Sequence, residues 1–150
     1  MSDSPTMRVM PPRPGATPLE AALERVGDRW SFLIVEALLA GSRRFNELAE
    51  AVPGIAPNIL ADRLRRLERD GVLVGRPYQE RPPRLEYELT ADGRDLAGAL
   101  RLLADWGSRH AGGGEPVRHP LCGTALEPRW YCPTCGVAVV DATADETQRI

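Results

Sequence analysis

The chain has 150 residues and a formal net charge of −2, a length that suits one domain plus an appendage. No apolar run approaches the ~20 residues needed to span a bilayer. Met1-Ser2-Asp3-Ser4-Pro5 lacks the basic-then-apolar start of a secretory signal, so a cytoplasmic protein with no membrane partner is expected. The charge is unevenly spread: residues 43–84 hold nine Arg against six acids, whereas residues 85–150 hold six Arg against ten. A basic middle third fits a nucleic-acid face, and fits a solvated helix equally well. Every basic side chain is Arg and none is Lys, so each cationic contact has a fork geometry suited to phosphate or guanine.

Residues 1–16, rich in Pro, Ser and Met without periodicity, read as a flexible N-terminal arm. Thr17-Pro18 then has the form of a helix N-cap followed by Pro at the first helical position. Leu19, Ala22, Leu23 and Val26 repeat at helical spacing until Gly27. A second helix is predicted from about Trp30 to Ala40, apolar nearly all round and therefore central to the core. A short third helix, from Phe45 or Asn46 to Ala51, ends before Pro53-Gly54. The fourth is predicted over Pro57 to Asp70. Leu60, Leu64 and Leu67 form its buried stripe, Asn58, Asp62, Arg65 and Arg69 fall opposite, and Arg66 lies at the margin.

Val72-Leu73-Val74 and the alternating Leu85-Glu86-Tyr87-Glu88-Leu89 read as strands. The intervening Arg76 to Arg84 contains three prolines, so a protruding loop without regular pairing is expected. Thr90-Ala91-Asp92-Gly93 opens a long helix with Leu96, Leu100, Leu103 and Trp106 on one face, reaching Gly107 or Arg109. The expected organisation is a winged-helix DNA-binding and dimerisation domain over residues 17–110, a glycine-rich linker at 111–117, and a zinc-ribbon-like knuckle and tail at 118–150. The fold class is mainly α with small β: a winged helix-turn-helix with a two-stranded wing, plus a small C-terminal β-hairpin.

In such a fold the fourth helix presents its polar face to the major groove of double-stranded DNA. The candidate contacts are Pro57, Asn58, Asp62, Arg65, Arg66 and Arg69 on that helix. Arg43 and Arg44 before the third helix, and Arg76, Arg81 and Arg84 on the wing, complete the set as phosphate or minor-groove contacts. Leu96, Leu100, Leu103 and Trp106 supply more apolar length than a small core needs, with Leu19, Leu23 and Val26 as the expected partners across a homodimer.

The run from Gly27 to Leu96 resembles the HxlR-type winged helix-turn-helix regulators, relatives of the MarR group. The resemblance rests on G-x-R-W (Gly27 to Trp30), R-F-N-E-L (Arg44 to Leu48), P-G-I (Pro53 to Ile55) and L-x-x-R-L-x-x-L-E (Leu60 to Glu68). P-P-R-x-E-Y-x-L-T (Pro82 to Thr90) and the following D-G-R continue it in the same order. It implies a homodimer joined mainly through the first and last helices on a palindromic operator, with a recognition helix at Pro57 to Asp70 and a wing at Arg76 to Arg84. The leading expectation is a transcriptional regulator, a repressor, that binds an inverted repeat and is not an enzyme. Many members carry a redox-sensing cysteine just before the Pro that opens the first helix. Residues 1–121 contain no cysteine, so sensing through that site is not expected here.

All three cysteines lie within residues 122–135. His119-Pro120-Leu121-Cys122-Gly123 and Cys132-Pro133-Thr134-Cys135-Gly136 repeat one pattern: ligand, Pro, any residue, Cys, Gly. One histidine and three cysteines suit a closed, structural zinc site, with His110 or a water as substitutes for His119. Unmetallated cysteines, iron, or a redox pair at Cys132 and Cys135 are the competing readings. They carry the alternative functions of a thiol-redox protein or a protein-interaction adaptor. No small-molecule effector is legible.

Overall fold

The computed structural model describes residues 13–139, and the chain divides into two compact units at Arg101 and Leu102. The expected arm lies mostly outside the described residues, as does the tail from residue 140.

The first unit begins with α1 (Pro18–Val26), α2 (Arg29–Leu39), β1 (Arg43–Arg44), α3 (Phe45–Ala51) and α4 (Pro57–Arg69). A hairpin of β2 (Leu73–Glu80) and β3 (Pro83–Leu89) follows, then α5 (Ala91–His110), whose C-terminal half runs into the second unit. Thr17 caps α1 in a reciprocal capping box with Glu20. Asp28 caps α2, its carboxylate accepting from the backbone N–H of Trp30 and Ser31. A single apolar cluster holds the helices and the wing base together. Ile34, Val35 and Leu38 of α2 meet Leu48 of α3, Leu60, Leu64 and Leu67 of α4, and Val72, Leu73 and Leu89 at the foot of the hairpin. The i, i+4, i+7 spacing on α4 gives that helix one buried seam and leaves the rest of its circumference for other uses.

The sheet has the order β1-β3-β2, all antiparallel. The hairpin corrects the expectation of an unpaired loop: pairing continues from Leu73↔Leu89 out to Glu80↔Pro83, leaving only Arg81 and Pro82 to turn. Its prolines are tolerated for a positional reason. β2 is an edge strand, so the missing N–H of Pro77 need not interrupt the ladder. The register shift between Pro77 and Gln79 gives the chain an extra residue there. Pro83 sits at the first position of β3, beyond the reach of β1, which pairs only with Glu86 and Tyr87.

Where α5 leaves the wing, backbone comes against backbone. A Cβ on Gly93 would lie 2.0 Å from the Val72 carbonyl oxygen, so only glycine fits. The Thr90 hydroxyl donates to the carbonyls of Gly71 and Val72 and accepts from the Gly93 N–H, fixing the start of α5 to the wing base.

In the second unit the chain makes two short hairpins. Residues around the Arg118↔Ala125 bridge form the first, and β4 (Trp130–Cys132) with β5 (Val137–Val139) forms the second.

Candidate nucleic-acid interface

The outward side of α4 is set by its buried seam. With Leu60, Leu64 and Leu67 inside, Pro57, Asn58, Asp62, Arg65 and Arg69 are exposed. Arg65 and Arg69, with Asp62 and Glu68, line a shallow depression on this side of the helix. Among the described residues neither Arg65 nor Arg69 makes an ion pair, and the same holds for Arg81 and Arg84 on the wing. These four guanidiniums are solvated, forked and available.

Other arginines that the sequence assigns to the interface already have partners within the chain. Arg66, at the margin of the stripe, is half-buried and donates to the backbone carbonyl of Glu24 on α1, with Asp70 at 3.9 Å. Arg43 donates through Nε to the Ala37 carbonyl at 2.8 Å, tying β1 to α2. Arg76 is exposed but pairs with Glu88 across the hairpin. Asp62 faces Arg63 at 2.6 Å. Arg44 stays exposed, and its guanidinium lies over the Tyr78 ring, 4.4 Å from the centroid. That stack joins the start of α3 to the wing and leaves the rim of the guanidinium open.

Two acidic residues that composition alone did not single out orient α4. Asp28 receives the Arg63 Nε at 3.0 Å and the Ser31 hydroxyl at 2.6 Å while capping α2. Burial alone raises the Asp28 carboxyl, but the Ser31 donors and the Arg63 guanidinium outweigh it and hold the group below its ordinary value. Glu68 accepts the Gly75 N–H at 2.9 Å, fastening α4 to the first strand of the wing. Next to it, burial pushes the Tyr87 hydroxyl up, and the Glu68 charge adds to the effect. Both acids are recoverable from sequence only in part: Asp28 stands at an N-cap position, and Glu68 ends the L-x-x-R-L-x-x-L-E run.

The apolar residues assigned to a dimer divide likewise. Val26 is core, and Leu96 and Leu100 pack against that core. Leu19 and Leu23 on α1 remain 67% and 47% exposed, and Leu103 and Trp106 on α5 remain 51% and 57% exposed.

The candidate metal ligands form two pairs. His119 Nδ1 lies 3.4 Å from Cys122 Sγ, and Cys132 and Cys135 share the turn between β4 and β5. Among the described residues no three His, Cys, Asp or Glu side chains are gathered into one cluster. The four expected ligands therefore stand as two separate pairs. The Thr124 hydroxyl and backbone N–H lower the Cys122 thiol, and donors from Cys135 and Thr134 lower Cys132.

The order of elements, the exposed polar side of α4 and the paired wing agree with known proteins. The HxlR-like helix-turn-helix family matches residues 25–114. Over 119 residues the chain is 42% identical to the uncharacterized HTH-type transcriptional regulator Rv3095 of Mycobacterium tuberculosis, covering 77% of this chain and 75% of that one. The crystal structure of the HTH-type regulator ytcD superimposes with a TM-score of 0.60 at 39% identity, over 65% of this chain and 99% of that one. The redox regulator HypR in its reduced form gives 0.59 at 33% identity, over 63% and 94%. No helix among the described residues is long and apolar enough to cross a membrane. The chain belongs to the HxlR-like helix-turn-helix family of DNA-binding transcription regulators.

Proposed function

We propose that the protein is a sequence-specific repressor that binds an inverted-repeat operator as a homodimer. The observation that carries the reading is the division of labour on α4: Leu60, Leu64 and Leu67 buried, Arg65 and Arg69 exposed and unpaired. Asn58, at the second position of that helix, is a short polar side chain where helix-turn-helix readers approach base edges. Arg81 and Arg84 at the wing tip, with Arg44 on Tyr78 at the wing side, supply the phosphate contacts that fix register. The proposed interface leaves out Arg43 and Arg66, whose donors are already engaged by backbone carbonyls.

Leu19, Leu23, Leu103 and Trp106 support the dimer, because each is a large apolar side chain left open to water. A two-fold dimer presents two α4 helices, so the operator is read as two half-sites related by the same symmetry. Repression follows from occupancy, since a wing and a reading helix on each half-site cover the duplex that a polymerase must enter.

Selection of bound duplexes from a random pool tests the reading, followed by anisotropy titrations of the selected site across a salt series. The expected result is a selected inverted repeat and a binding constant that falls steeply with salt. Arg65→Ala or Arg69→Ala weakens that site by ~1–3 kcal/mol where the side chain reads a base. Affinity indifferent to salt and to both substitutions refutes the DNA surface and favours a protein-binding adaptor. Transcription from a template carrying the site distinguishes repression from activation.

A further inference from the structure

The two cysteine-bearing turns lie beyond the family-matched residues 25–114. They are the same structure made twice. In the first, the Gly123 N–H donates to the His119 carbonyl at 2.8 Å and Gly123 has φ +71°. In the second, the Gly136 N–H donates to the Cys132 carbonyl at 2.9 Å and Gly136 has φ +69°. Each turn closes a short antiparallel hairpin, at Arg118↔Ala125 and at Cys132↔Val137.

The second observation concerns what holds these hairpins. None of residues 111–139 is buried. Leu121, Leu126, Trp130, Tyr131, Val137 and Val139 are all exposed. A segment this short without a hydrophobic core needs a cross-link or a metal to stay folded. Any disulfide uses two of the three cysteines and leaves the third sulfur and His119 without a partner. A metal ion accepts one imidazole and three thiolates together, and so joins both hairpins. The donor set is soft, carries no carboxylate, and matches tetrahedral zinc.

We propose that His119, Cys122, Cys132 and Cys135 bind one zinc ion that draws the two turns together into a closed structural site. The ion releases the thiol protons on binding and leaves no coordination position for a substrate. The separate pairs seen here are the two halves of that site, each already shaped.

The test uses the reduced full-length chain, reloaded with zinc and freed of excess. The expected metal content is about one zinc per chain. Zinc slows alkylation of all three cysteines together, and a chelator restores it. Cobalt in place of zinc gives the visible absorption of a tetrahedral, thiolate-ligated ion. Cys132→Ser and His119→Ala each lower zinc affinity by more than the roughly 10–100-fold that loss of an outer-shell partner causes. The alkylation measurement on the unsubstituted chain stands even if a variant misfolds. Zinc content well below one, or protection of only Cys132 and Cys135, overturns the proposal. So does a coloured, iron-containing protein, or unchanged zinc affinity in His119→Ala.

Discussion

Removing the Asp28 carboxylate tests whether one half-buried acid sets the position of α4. Asp28→Ala takes away three interactions at once. The α2 N-cap loses its acceptor for Trp30 and Ser31, a loss of ~0.5–2 kcal/mol. The Ser31 hydroxyl, fully buried, loses its 2.6 Å partner, which costs ~1–3 kcal/mol. Arg63 loses its 3.0 Å partner but keeps Asp62, and both members of the pair are about a quarter exposed, so this adds no more than ~1 kcal/mol. Because one carboxylate carries all three, the losses overlap, and ~2–4 kcal/mol is expected in total. Asp28→Asn keeps a carbonyl oxygen for the cap and an amide for Ser31, so only the charge is lost, ~1 kcal/mol. Urea unfolding at fixed ionic strength measures both as a shift in midpoint at unchanged slope. The pH dependence follows in sign. The folded carboxyl is held below its unfolded value, so its stabilisation is complete above the unfolded pKa and disappears as pH falls through the folded one. The gap between wild type and Asp28→Asn therefore closes on acidification from pH 7 to below about 4. A gap that stays constant over that range, or an Asp28→Ala variant within ~0.5 kcal/mol of wild type, refutes the argument.

Three further outcomes separate fold from function. Arg66→Ala lowers stability by about 1–2 kcal/mol through the carbonyl of Glu24 and leaves the salt slope of DNA binding unchanged, whereas Arg81→Ala flattens that slope by ~1 and leaves the urea midpoint alone; the reverse pattern contradicts the division of arginines. Gly93→Ala forces a methyl against the Val72 carbonyl oxygen and costs about 2–3 kcal/mol, read by thermal unfolding, and a neutral result shows that α5 does not meet the wing base as described. Trp106→Ala or Leu103→Glu shifts sedimentation toward a monomer and weakens operator binding; a wild-type chain that sediments as a monomer at micromolar concentration dismisses the dimer directly.

How much of this was legible in the sequence depends on the range of the interaction. Leu60, Leu64 and Leu67 declare the buried seam of α4 through local spacing, and the exposed side follows by geometry. Thr17-Pro18 and Gly27 likewise mark the ends of α1 without reference to the rest of the chain. The two-stranded wing was legible, but the reach of its pairing was not, because proline chemistry depends on whether a strand is an edge, which sheet order decides. The two-residue β1 carries no alternation and is strand only because β3 lies beside it. Arg66 is indistinguishable from Arg65 in composition; its partner stands 42 residues earlier on another helix. Val26 shows the same limit on the apolar side, since core and interface residues have one and the same pattern along α1.

On the proposed reading, one helix serves the fold and the duplex together. Arg63, Arg65, Arg66 and Arg69 are chemically identical, yet successive positions turn by ~100°. Arg63 and Arg66 flank the buried seam, and their forks reach Asp28 and the Glu24 carbonyl. Arg65 and Arg69, four apart, stand together on the far side. The inner pair brace α4 against α1 and α2, and Glu68 braces it against the wing. A base-reading side chain is selective only if its helix is held to a fraction of an ångström, since a loose fork pairs with any acceptor in reach. On the proposed reading, the inner arginines contribute to sequence choice by holding α4, without touching DNA. Weakening them is then expected to degrade discrimination between sites more than affinity for phosphate, which Arg44, Arg81 and Arg84 supply on the same reading.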